Sequence, residues 1–285
     1  MSETGALLAR MHAADAGVQA AVGAALPDLA RAADAIAARL DAGGRWFYIG
    51  AGTSGRLGAL DAAELPPTFG TDPALVVALL AGGKRAMSEA VEGAEDDADA
   101  GAFDLLRAGL TARDAVVGIA ASGATPYVRG ALREAKAKGS LTVSVVCRPG
   151  TPLLAEAEIG ILLDTGIEVL AESSRLKAGT AQKIALNMLS TAVMSRRGLV
   201  YEGEMVAMQP TNEKLKRRAT RIVAQLAKVS EEKAEDLLRR VNWHLPSALI
   251  AAKWGLSAEA AADYLSKKNS NVAAALSQPP ETARE

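Results

Sequence analysis

Five short runs in the first 165 residues are nearly all apolar: RWFYIG (45–50), ALVVALL (74–80), DAVVGIA (114–120), LTVSVVC (141–147) and IGILLD (159–164). A strand with one wet face alternates apolar and polar positions. A strand covered on both faces does not, so these runs predict buried parallel strands. Between most of them, apolar positions recur with helical spacing. LPDLARAADAIAARLDAGG (26–44) has an apolar face and stops at Gly-Gly; TPYVRGALREAKAKG (125–139) opens at a Thr cap, places basic residues late and ends at Gly. KAGTAQKIALNMLSTAVMSRRG (177–198) is long and mostly apolar, which predicts a deeply buried helix. The alternation of strands and helices predicts an α/β fold, a doubly wound parallel sheet.

The pattern changes near residue 210. TNEKLKRRATRIVAQLAKV (211–229) reads as a charged amphipathic helix. Three short helical pieces follow, SEEKAEDLLRRV (230–241), PSALIAAKWG (246–255) and SAEAAADYLSKK (257–268), each opened by a capping or turn residue. No strand-like run is evident after residue 165. The expected division is an α/β domain over 1–225 and a small three-helix domain over 226–285, with a polar, frayed tail at SQPPETARE.

Composition narrows the partners. Of the 285 residues 49% are apolar but only 4% aromatic, so the core must be built from Ala, Val, Leu and Ile. The 32 basic side chains do not outnumber the 33 acidic ones, which leaves no basic excess for nucleic acid or an anionic membrane surface. Cys147 is the only cysteine, so no internal disulfide can form and a reducing cytoplasm fits. With His12 and His244 alone, His-rich metal sites are excluded and a Ser-His-Asp triad is disfavoured. The N-terminal stretch MSETGALLARMHAADAG lacks the basic start and apolar run of a signal peptide, and no apolar run is long enough to span a bilayer.

Candidate chemistry gathers at strand ends. GAGTSG follows the first strand and AASGATP the third. Glycines at Gly52 and Gly123 would let backbone approach an anion, helix N-termini would supply unpaired N–H groups, and Thr53, Ser54, Ser122 and Thr125 would add neutral hydroxyls. No Lys stands in the Walker position, though Arg56 is near. Either loop alone could be an ordinary turn with Ser/Thr caps; two such loops at parallel strand ends favour a phosphate cradle. A third stretch, AESSRLKAGTAQK (171–183), places Ser173, Ser174, Arg175 and Lys177 ahead of the long helix. It reads equally as a ligand contact or as a capped, solvated turn.

Two carboxylate pairs stand out. Asp61 and Glu64 lie three apart on one side of a helix, and Glu92 and Glu95 share the same spacing in AVEGAEDDADAG. Most of the latter segment must be solvated, including Glu89, Asp96, Asp97 and Asp99. It lacks the spacing and glycine of a calcium loop, and no metal is expected. Acid–base chemistry needs two carboxyls in different environments. Glu64, between Ala63 and Leu65 and followed by Pro-Pro, is expected to be the more buried.

The blocks YIGAGTSGRLGALDAAELPPTFG, AVEGAEDD, GIAASGATPYVRGAL, SSRLKAGTAQKIALNMLST and TNEKL together closely resemble the N-acetylmuramic acid 6-phosphate etherases, in the same order and over about residues 20–275. The resemblance implies a sugar-isomerase (SIS) sandwich with a ubiquitin-associated-like helical tail, and a homodimer. It also implies cleavage of the D-lactyl ether of N-acetylmuramic acid 6-phosphate, without a cofactor, in recycling of cell-wall sugars. On the family's motifs the proton donor falls on Glu64, the second catalytic glutamate on Glu95, and phosphate contacts on Thr53, Ser54, Ser122 and Thr125. Asp61 would orient Glu64 or lie on the surface. Two departures are visible. The family's polar N-terminal segment, with its Thr-Glu and Asn, is absent, which would weaken affinity if that segment covers the ligand. Glu172 also stands where the family commonly has Gly, and is expected to face away from a phosphate. The rival reading is a non-catalytic sugar-phosphate sensor of the same fold, with an aldose–ketose isomerase a weaker one.

Overall fold

Trp46–Gly50 (β1), Val76–Leu80 (β2), Ala115–Ile119 (β3), Leu141–Val146 (β4) and Ile159–Leu162 (β5) form one parallel sheet in the computed structural model, which describes residues 2–280. Residues 281–285 of the expected frayed tail lie outside the described residues. The strand order is β2-β1-β3-β4-β5, so the winding reverses between β1 and β3. Their register pairs Gly50 with Ile119, which brings the loops after both strands side by side at the switch point. Every residue of β1, β3 and β4 is buried, as continuous apolar runs require. The expected α/β doubly wound sheet is therefore the observed one.

Period-two alternation sorts the side chains between the two faces. Phe47 and Ile49 join Val116, Tyr127, Val128 and Leu132 in the core on one side. That side is covered by the helices Ala98–Arg107 (α5), Pro126–Ala137 (α6) and Pro152–Glu156 (α7). The opposite face takes Trp46 and Tyr48, together with Leu26–Asp41 (α3), Gly52–Phe69 (α4) and the early part of Lys177–Arg196 (α8). Two further helices, Glu3–Asp15 (α1) and Gly17–Ala24 (α2), precede these in the chain. The long helix α8 was expected to be deeply buried. It buries Ala181, Ala185, Leu186, Leu189 and Val193 but exposes Lys183, Met188 and Thr191, because an Ala-rich composition does not reveal which flank faces water.

By internal contacts the chain divides into two compact units. The first holds everything up to Ala63 and then Pro73–Val193; the second takes Glu64–Asp72 and the chain from Met194 onward. Glu213–Ala227 (α9), Glu231–Arg240 (α10), Leu245–Trp254 (α11), Ala258–Lys267 (α12) and Val272–Ser277 (α13) follow within the second unit. Ile222, Val223 and Leu226 of α9 share a core with Leu238 of α10 and Leu249 of α11. The expected boundary at 225/226 therefore cuts through α9, whose apolar stripe belongs with the helices after it. A small antiparallel hairpin, Val200–Tyr201 (β6) with Glu204–Met205 (β7), corrects the expectation of no strand after residue 165. Two-residue strands are too short to show alternation; Glu202 and Gly203, both at positive φ, make the tight turn. Among the described residues no helix is long and apolar enough to cross a membrane.

Helix α4 is fastened to the sheet and to α8 by one buried carboxylate. Asp61 is 4% exposed and accepts from Tyr48 Oη at 2.8 Å, Asn187 Nδ2 at 2.7 Å and Ser190 Oγ at 3.1 Å. A surface role for Asp61 is thereby excluded. Burial, and then the charge and hydrogen bond of Asp61, push the Tyr48 phenol far above its usual pKa, so it stays a donor. Removing the acceptor takes it from the Tyr48 and Asn187 donors at once, while Ser190 Oγ keeps the Asn187 carbonyl at 3.3 Å. Asp61→Ala is expected to lower unfolding free energy by about 2–4 kcal/mol in urea titrations, and Asp61→Asn by less. An Asp61→Ala protein as stable as the wild type would show that the network does not hold α4.

Candidate functional site

The first turn of α4 lies directly on the end of β1, and glycine makes that approach possible. A Cβ at Gly50 would come within 2.8 Å of the Gly55 backbone. Gly52, at φ +51, turns the chain into the helix. Gly55 N–H bonds back to Ala51 C=O at 3.1 Å, which leaves the preceding amides without helical partners at the positive end of the dipole. One strand over, Gly123 at φ +67 closes the turn after β3. The Thr151 side chain occupies the space a Cβ would need there. Thr125 begins α6 without capping it, and its Oγ1 lies 3.4 Å from Ser122 Oγ. Ser122 Oγ also accepts from Ala124 N–H at 3.3 Å, so one hydroxyl of the pair donates to the other and one proton is left to face a ligand.

These loops border a cleft of about 890 Å³ at the carboxyl ends of β1, β3, β4 and β5. Ser54, Ser122, Thr125, Ser174 and Glu95, all singled out from the sequence, line it together. Gly52, Thr53, Gly123 and Ser173 are not part of the lining; they shape the turns behind it, and Thr53 packs near Gly179 of α8. Lys177 departs from expectation. Its ammonium is buried and donates to the carbonyls of Thr165 and Ile167, each at 2.7 Å, so it ties down the β5–α8 loop instead of meeting a ligand. Glu64 departs too. It is exposed, not buried. Its apolar sequence neighbours point to other sides of the helix and do not cover it.

The charges of the cleft are lopsided. Glu95, Asp96, Asp164, Glu168 and Glu172 supply five carboxylates, and Arg148 is the one guanidinium. Neither Arg148 nor Glu168 was picked out from the sequence. Arg148 sits just after β4, as Ser122 sits just after β3, and that strand-end position was a usable signal. Glu168 had none: its carboxylate caps α8 from nine residues upstream, accepting from Ala178 N–H at 2.9 Å and Lys177 N–H at 3.3 Å. The positive end of α8 is thus occupied by the chain's own anion. Burial, followed by the charges of Glu168 and Asp164, pushes the Cys147 thiol up to about 12, which removes it as a nucleophile. No cluster of His, Cys, Asp and Glu among the described residues could hold a metal ion.

Glu172 was expected to face away, yet it lines the cleft at φ +63. A left-handed backbone suits glycine, and a side chain there costs roughly 1–2 kcal/mol. Glu172→Gly is expected to tighten binding of a phosphorylated sugar, more at low salt than at high, while stability holds or rises by up to about 1 kcal/mol. Calorimetric titration and melting check both. Weaker binding at low salt would mean that the carboxylate contributes to the site.

The chain resembles known proteins over most of its length. Residues 28–136 match the family of the glucokinase regulatory protein N-terminal SIS domain. N-acetylmuramic acid 6-phosphate etherases of Salmonella agona and Salmonella typhimurium are each 50% identical over 270 residues, covering 95% of this chain and 91% of theirs. A phosphoheptose isomerase from Francisella tularensis superposes with a TM-score of 0.54 at 19% identity, covering 68% of this chain and 100% of that one. The last comparison shows the SIS fold alone. With half of its residues shared along nearly its whole length, the chain belongs to the N-acetylmuramic acid 6-phosphate etherase family.

Proposed function

We propose that this chain cleaves the D-lactyl ether of N-acetylmuramic acid 6-phosphate to N-acetylglucosamine 6-phosphate and D-lactate. The observation that carries this reading is that Glu95 opens into the same cleft as the neutral cradle of Ser54, Ser122 and Thr125. The 6-phosphate takes the free amides of α4 and these hydroxyls, with Ser174 at the far side; a dianion at a helix N-terminus needs no lysine. The open-chain sugar exposes a C1 aldehyde that acidifies the C2 proton. Glu95 removes that proton, the C3–O bond breaks, and a carboxylic acid protonates the departing lactate. Water then adds to C3 of the unsaturated aldehyde, the same groups acting in reverse. The route draws only on the chain's own carboxyls, and a single buried cysteine suits an enzyme of the cytoplasm.

The acid is Glu64, in a homodimer in which the partner subunit's Glu64 completes each cleft. Leu60, one turn earlier on the same flank of α4, is 45% exposed, and Met188 on α8 is 42% exposed. An apolar flank of this kind suits a subunit interface, where desolvation favours the protonated acid that a leaving alkoxide requires. The match to the glucokinase regulatory protein domain favours a second reading, a sugar-phosphate sensor without catalysis.

Purified protein incubated with N-acetylmuramic acid 6-phosphate is expected to release D-lactate and N-acetylglucosamine 6-phosphate in equal amounts. Binding without lactate would favour the sensor. Glu64→Gln and Glu95→Gln should each slow release by about 10²–10⁴-fold. An equal mixture with exchanged subunits should regain about a quarter of wild-type activity, because half the dimers then hold one intact shared cleft. Mixed dimers without any regain would place both glutamates in one chain's cleft.

A further inference from the structure

Ser54 is 6% exposed, lines the cleft, and is held by a residue with no role so far. Its Oγ donates to Gln182 Oε1 of α8 at 2.9 Å. Gln182 is fully buried, and its Nε2 finds no acceptor. Three other buried polar atoms among the described residues share that condition, on Trp46, Thr71 and Ser144, and none of those residues reaches the cleft. The rest of the polar seam between α4 and α8, where Asn187 and Ser190 meet Asp61, is partnered.

A hydroxyl carries one proton and two lone pairs. While Ser54 gives its proton to the amide oxygen, it offers a ligand only lone pairs, which repel phosphate oxygens. Turning the Gln182 amide over exchanges oxygen and nitrogen in nearly the same space. Nε2 then donates to Ser54 Oγ, the orphaned donor is satisfied, and the serine proton is released toward the cleft. We propose that Gln182 is the positioning residue of the phosphate cradle, setting Ser54 as a donor when the dianion enters. The proposal rests on the phosphate reading of the cleft given above. Donation then runs in one direction, from Gln182 N–H to Ser54 and from Ser54 O–H to phosphate, and each bond polarises the next. A glutamate at this position could only accept and would retain the serine proton; a lysine would bury a charge. A neutral amide serves either sense without a net charge.

The test compares binding of N-acetylglucosamine 6-phosphate and of unphosphorylated N-acetylglucosamine by calorimetry, alongside D-lactate kinetics. Gln182→Glu should weaken the phosphorylated sugar by at least about tenfold, and Gln182→Met by about threefold to tenfold, with KM rising more than kcat falls. Neither should alter binding of the unphosphorylated sugar. In a Ser54→Ala background, Gln182→Met should add no further loss, since the two residues act through one hydroxyl. If Gln182→Met weakens both sugars alike, or costs the same factor with and without Ser54, Gln182 is a packing residue and the proposal fails. Should Gln182→Glu not fold, the Met variant and its cycle with Ser54→Ala decide alone. A wild-type protein that does not prefer the phosphorylated sugar would overturn the phosphate reading itself; a preference without Gln182–Ser54 coupling would overturn only this proposal.

Discussion

The contact on which the site depends is the seating of the first turn of α4 on the end of β1. Gly50 and Gly55 bring the two backbones closer than any side chain would allow, so the open amides of the helix stand at the point where the sheet reverses its winding. Asp61 fixes the same helix from below through Tyr48, Asn187 and Ser190. A helix held at both places has neither axial nor rotational freedom. That is why a serine on its first turn can be set by a glutamine on α8.

The electrostatics follow from this seating. A cleft with five carboxylates and one arginine is a poor place for a dianion if side-chain charge is the measure. Backbone dipoles and hydroxyls reverse that judgement locally, because they need no counter-ion and lose little on desolvation. The chain also prevents competition between its own helix ends. Glu168 caps α8, and Lys177 gathers the carbonyls of the loop that carries Glu168, so these charged groups of the β5–α8 loop are satisfied within the chain.

Much of this was legible in the sequence. Apolar runs bounded by Gly and Ser gave all five strands of the main sheet to within two residues, and the two hydroxyl-rich strand ends were correctly brought together. What was not legible depends on direction or distance. Burial of Glu64 was inferred from its flanks, but on a helix adjacent residues point about 100° apart, so Ala63 and Leu65 cover nothing at that position. Lys177 looked like a ligand contact because chain order cannot show that its ammonium turns back to Thr165 and Ile167. The cap from Glu168 spans a loop and leaves no local signature. Glu172 was flagged by its departure from glycine, and its left-handed backbone explains why glycine is favoured there.

Whether neutral donors at the switch point hold a sugar phosphate can be read from backbone amide resonances while N-acetylglucosamine 6-phosphate and then N-acetylglucosamine are titrated into the protein. Large downfield shifts are expected at Gly52–Gly55 and Ser122–Thr125 with the phosphorylated sugar only, and little change at the capped start of α8. Shifts centred on Lys177 and Ala178, or equal responses to both sugars, would contradict this expectation.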